Sequence, residues 1–202
     1  MRLFQTISGD LRLKAEWCYG ETGLKGLLKT LATDGTAAMV IYRLMQWSTT
    51  HRLSPLAMAF NKLNAVCCQC IIGRRASFGP GFVLIHSQGV VINSSVVAGD
   101  RIFIEHQVTI GAERGVSPVI GSDVFFGAGS KIIGSVRVGD GARVGANAVV
   151  VHDVPSGATV VGIPAKVVFQ RSAPRYHDEP NSGSTFTDEE SSLSYPSQPD
   201  KQ

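Results

Sequence analysis

Residues 84–92 read LIHSQGVVI, a single histidine beside Ser87, Gln88 and Gly89 in an otherwise apolar run. Imidazole titrates near neutrality, so His86 is either a polar residue packed in a core or a group able to accept a proton at physiological pH. A second histidine, His106, follows twenty residues later in IEHQVTIG. The four cysteines are Cys18, Cys67, Cys68 and Cys70. Cys67 and Cys70 form a C-x-x-C, but no second pair or histidine pair follows at zinc spacing, so no metal is expected. They read as small apolar residues of a reducing compartment.

What positions these groups depends on the elements around them. The 202 residues can bury a sizeable core, and scarce aromatics with 22 glycines suit a fold of tight turns and small aliphatic contacts. A net charge of +3 without a basic, aromatic-interleaved stripe argues against a nucleic-acid partner. The first residues lack the apolar core of a secretory signal, and no run of 18 uncharged apolar residues suggests a membrane span, so a cytoplasmic location is expected. Residues 171–202 are rich in Ser, Pro and acids and carry a local charge of −3, the composition of a disordered tail.

Residues from about 22 to 66 read as helical within an α-helical N-terminal region, 1–66. In TAAMVIYRLMQWSTTHR the spacing puts Ala37, Ile41, Leu44 and Met45 on one face and Met39 and Tyr42 elsewhere. Both helices are apolar enough to pack on the remaining chain or a neighbouring subunit; peripheral membrane contact is the sharper alternative.

From Ile72 the period changes. Every sixth residue through Val150 is a large apolar one, Arg114 alone excepted, and a small residue often sits four places further, as at Ala76, Ser94, Ala112, Ser130, Ala142 and Ala148. Neither a helix nor an alternating strand holds a period of six over such a span; a triangular parallel β-helix of hexapeptide repeats does. Three hexads make one coil, and coils stack at strand spacing. The stretch AERGVSPV around Arg114 reads as a loop leaving the prism.

Residues 67–170, through IGRRASFGPGFVLIHSQGVVINSSVVAGDRIFIEHQVTIG and GANAVVVHDVPSGATVVGIPAKVV, resemble the left-handed β-helix acyltransferases, specifically the serine O-acetyltransferase family and still more its colanic-acid-type relatives of exopolysaccharide clusters. That resemblance implies a mainly β, left-handed parallel β-helix, assembled as a homotrimer with acetyl-CoA in the clefts between subunits. It implies an O-acetyltransferase in which His86, outward at the third place of its hexad, accepts the proton of the attacked hydroxyl. His106 occupies a fifth place, where small inward residues normally sit; it is expected to hold the corner, with Gln88 as its hydrogen-bonding partner, or to join His86 in catalysis. FFGAGSKIIG and GDGARVGANAVV match the family's late coils, so Gly127, Ala128, Gly129 and Ala142 are expected to let the pantetheine arm approach. Lys131, Arg143 and Lys166 are then candidate partners for the CoA phosphates.

Two departures stand out. The aspartate that orients the family's histidine aligns with Ile71, and a second histidine before a proline aligns with Ser117. Glu105 or a main-chain carbonyl is the expected replacement. The incomplete serine constellation shifts the expected acceptor to a sugar hydroxyl of an exopolysaccharide precursor, lipid-linked sugars at the inner membrane face included. Serine O-acetylation in cysteine synthesis and a non-catalytic trimeric scaffold are the alternatives.

Overall fold

The computed structural model describes residues 3–21 and 23–170; the expected acidic tail, 171–202, lies outside them. Four helices come first: α1 (Leu3–Tyr19), α2 (Leu24–Leu31), α3 (Thr36–Thr50) and α4 (Ser54–Cys68). A three-faced coil follows. Its first turn is β1 (Ile71–Ile72), β2 (Ser77–Phe78) and β3 (Phe82–Leu84), and its second β4 (Val91–Ile92), β5 (Val97–Ala98) and β6 (Ile102–Ile104). The third is β7 (Thr109–Gly111), β8 (Val119–Ile120) and β9 (Phe125–Phe126), and the fourth β10 (Lys131–Ile133), β11 (Arg137–Val138) and β12 (Arg143–Val144). Strands β13 (Val149–Val150), β14 (Ala158–Val161) and β15 (Lys166–Gln170) end the chain's described part. Face A stacks β1-β4-β7-β10-β13, face B β2-β5-β8-β11, and face C β3-β6-β9-β12-β14-β15, all parallel except the final β14–β15 pair. This is the left-handed parallel β-helix of hexapeptide repeats that the sequence predicts. Among the described residues no helix is long and apolar enough to cross a membrane.

The coils are not uniform. Ile72 pairs with Ile92, Ile92 with Ile110, Ile110 with Ile132 and Ile132 with Val150, so successive coils hold 20, 18, 22 and 18 residues. The period of six survives these slips because each hexad sends two residues inward, two places apart. Ile72, Phe78 and Leu84 occupy the strand position, whereas Val90, Val96, Ile102 and Val108 occupy the neighbouring corner position, and all are buried. After Arg114, which turns outward between paired Glu113 and Val116, the series returns to the strand position at Ile120. The slip also corrects the small-residue series. Ala76, Ser130, Ala142 and Ala148 are buried at corners, but Ser94 and Ala112 are half-exposed.

The first coil has none beneath it, and an open strand end leaves polar groups unpaired. Side chains from the helices complete it. Tyr42 donates to Ala76 O and accepts from Phe78 N, Asn61 Nδ2 donates to Ile72 O, and Arg43 donates to Phe78 O and Gly79 O. Asp10 accepts from Gly81 N and Phe82 N and pairs with Arg43 at 2.6 Å. The inward face of α3 is therefore Ala38, Met39, Tyr42, Arg43 and Met45; of the expected face Met45 is buried, Ile41 and Leu44 are partly covered and Ala37 is exposed. Hydrophobic spacing mis-set this helix because its central buried contact is a guanidinium. Helix α1 lies within the expected helical region, 1–66, but ahead of the stretch that reads as periodic, since its buried face is Thr6, Asp10, Lys14 and Ala15 rather than an apolar stripe.

Candidate active site

The edge between faces C and A carries the histidines. Strand pairing on face C persists through Ile85, whose N–H donates to Ile104 O, and the chain then turns. From Leu84 to Ile92 this corner spans eight residues where the next coil, Ile104 to Ile110, takes six. The two extra residues let His86 leave the strand and point outward, its side chain 51% exposed, as expected. They also alter His106. Gln107 N donates to Gln88 O, so His106 keeps the place of Gln88 in the corner, while strand register aligns it directly with His86. His106 does not face the axis; it is exposed, its ring edge-on to His86 with centroids 5.9 Å apart. Glu105 approaches His106 Nδ1 at 3.7 Å instead of replacing the aspartate beside His86.

The carboxylate facing His86 comes from the helical region. Asp34, in the turn between α2 and α3, places Oδ2 3.3 Å from His86 Nδ1. Its Oδ1 accepts from Gly35 N at 2.7 Å and lies 3.1 Å from the Ser87 hydroxyl, whose single proton is shared between it and Cys68 O, also at 3.1 Å. Burial pushes the Asp34 carboxyl up, but the Gly35 N–H, the Ser87 hydroxyl and His86 outweigh it and hold it below its ordinary value. A carboxylate at Nδ1 selects the tautomer that donates there and leaves Nε2 free to accept a proton. Sequence reasoning missed Asp34. Asp-Gly reads as a turn, and nothing local ties it to a histidine 52 positions away.

Gly35 makes the turn possible. Its φ is +80°, and a Cβ there would meet Leu84 O at 2.5 Å and Ile85 O at 3.2 Å, both main-chain atoms that cannot yield. Gly35→Ala is expected to cost about 1–3 kcal/mol in urea unfolding and to lower turnover further by displacing Asp34. Two cavities flank the pair. One of about 310 Å³ is lined by Lys14, Trp17, Tyr19, Thr33, Ile85 and His86, and one of about 190 Å³ lies beside Asp34, Cys67, Cys68 and Ser87.

Above His106 the same edge continues. Gly129 N donates to His106 O and Asn147 N to Ala128 O, so His106, Ala128 and Ala146 form one column of corners. Lys131 and Arg143 flank that column on faces A and C, Arg143 lying over the Phe125 ring at 4.7 Å, while Lys166 is exposed on β15. Ala142 is fully buried at an inward corner and offers no surface to a ligand. At Gly127 a Cβ would meet Ala146 N at 2.7 Å, so the next coil itself requires a glycine there.

The model for the bacterial transferase hexapeptide (six repeats) matches residues 117–152. A serine acetyltransferase of Synechococcus elongatus is 33% identical over 172 residues, 83% of this chain and 70% of the relative. The chain belongs to the serine acetyltransferase family. It is thus an acyltransferase, in a family whose acyl donor is acetyl-CoA. Among solved structures, soybean serine acetyltransferase complexed with serine superposes with a TM-score of 0.73 at 33% identity, covering 82% of this chain and 69% of that one. A serine acetyltransferase in complex with CoA gives 0.72 at 28% identity, covering 81% and 70%. These relatives are serine acetyltransferases, and the expected closer likeness to the colanic-acid type finds no support in them.

Proposed function

We propose that the protein transfers acetyl from acetyl-CoA to the hydroxyl of L-serine, with His86 as general base and Asp34 as its orienting carboxylate. The observation that carries this reading is the Asp34–His86 contact. It removes the main sequence objection to serine, the missing aspartate at Ile71, because a carboxylate reaches Nδ1 by another route. The acceptor hydroxyl attacks the thioester carbonyl as its proton passes to Nε2 of His86. Collapse of the tetrahedral intermediate then breaks the C–S bond, and the departing thiolate takes that proton. His106, edge-on to His86, is placed to hydrogen-bond the hydroxyl or the developing oxyanion. The pantetheine arm would run along the corner column above His106, between Lys131 and Arg143. Trimer formation belongs to the same proposal, supported by an exposed apolar strip of Ile71 and Val91 on face A and Val97 and Val119 on face B.

A sugar hydroxyl is the second acceptor reading. It is supported by Ser117, which stands where the resemblance expects a histidine and is hydrogen-bonded to Ser95 at 2.8 Å. Free-thiol release from acetyl-CoA with L-serine, against nucleotide and lipid-linked sugars, decides between them. Serine is expected to be turned over; turnover of a sugar alone would reverse the order. Asp34→Asn is expected to lower kcat on the true acceptor on the order of 10²-fold, because Nδ1 loses its carboxylate.

A further inference from the structure

The buried face of α1 repeats polar residues at a spacing of four: Thr6, Asp10 and Lys14. Asp10 is satisfied by Arg43 and two main-chain N–H groups. Lys14 is 1% exposed, and among the described residues no carboxylate forms an ion pair with it. Its Nζ donates to the main-chain carbonyl of Asp34. The Cβ position at Gly35 lies 3.1 Å from Lys14 Nζ as well as beside the carbonyls of Leu84 and Ile85. The amine, the turn bearing Asp34 and the strand end leading to His86 therefore converge within the space of one side chain. A buried ammonium costs stability unless paired, and a Leu or Met would satisfy simple packing at this site.

We propose that Lys14 is a positioning residue for acyl transfer: its buried amine clamps the Asp34 turn beneath the His86 corner, so that the carboxylate meets Nδ1 and Nε2 faces the acceptor. The role rests on the reading of His86 as base. Burial draws the Lys14 ammonium down to about 8, opposed by Cys18 and Asp34, so it is mainly charged at neutrality. The other groups around it are His86 across the 310 Å³ cavity and Glu105, which faces Cys18.

The test is an NMR titration of the His86 imidazole in the full chain, alongside steady-state kinetics, for Lys14→Met and Lys14→Arg. If Lys14 holds the Asp34 turn, its removal draws the carboxylate away from Nδ1 and makes protonation of His86 harder. In Lys14→Met its pKa should therefore fall, and the rising limb of kcat/KM should move to lower pH; a rise, which loss of the Lys14 charge alone would give, overturns the clamp. The same variant should lose about tenfold in kcat with an unchanged KM for acetyl-CoA. Lys14→Arg, which keeps charge and donors, should restore both. Should Lys14→Met fail to fold, Lys14→Leu likewise removes the donor and gives the same titration test. An unchanged His86 titration and kcat in a folded uncharged variant overturns the clamp. So does a loss of activity that follows thermal unfolding alone. The titration is independent of the reading of His86 as base, which fails separately if His86→Ala keeps near wild-type turnover.

Discussion

His86→Ala is expected to lower acetyl transfer by about 10²- to 10⁴-fold while leaving the coil folded. The expectation combines two facts about one side chain. Its Nδ1 lies beside Asp34, and it contributes little to packing, being half-exposed with Asp34 and the edge of His106 against it and an open cavity on its other side. Urea unfolding should therefore change by no more than about 0.5 kcal/mol, the usual range for an exposed substitution. Binding of acetyl-CoA should persist, since the proposed track lies along corners above His106. Thiol release measured on the true acceptor checks the first part, and calorimetry with CoA the second. Turnover near the wild-type rate would remove His86 from the chemistry, and absence of acyl-CoA binding in the wild type would favour a scaffold without catalysis.

The largest effect on stability is expected from Arg43→Met, at about 3–5 kcal/mol. Arg43 is fully buried, and its guanidinium donates to Asp10, Gln46, Phe78 O and Gly79 O. Removing it leaves the Asp10 carboxylate buried without its counter-charge and two carbonyls of the first coil without that donor. Against a typical total of about 5–15 kcal/mol, such a loss brings the fold close to its limit. The urea midpoint should fall with little change in slope. Arg43→Lys should recover only part of the loss, because an ammonium cannot reproduce the planar fork. The consequence reaches the site, since Asp10 and Lys14 share the buried face of α1 and Arg43 and Asp34 belong to α3 and the turn before it. The latch that closes the first coil thus also holds the elements that orient His86.

The hexad period made the β-helix legible because every six residues must return two side chains to a narrow axis, and that demand repeats along the whole prism. It also hid the slips in register, since both inward positions are apolar and a shift of two residues moves the series from one to the other. The eight-residue corner at Leu84–Ile92 was invisible for that reason, and with it the alignment of His86 over His106. The helical region was less legible, because its buried faces carry Asp10, Lys14 and Arg43, which sequence reasoning assigns to solvent until their partners are known.

By itself, then, the sequence determined the prism and its edges, since these follow from residues within one or two hexads; the outward place of His86 was what the family resemblance implied. Tertiary structure alone decided what that histidine touches. Asp34 reaches it from a turn 52 residues earlier, and Lys14 reaches that turn from a helix earlier still. Such contacts are set by how the helices dock against the first coil, through groups whose charges and hydrogen bonds are satisfied only once both are in place. Ile71, where the family's aspartate was sought, is a half-exposed residue beside Val91; the carboxylate is supplied from outside the coil.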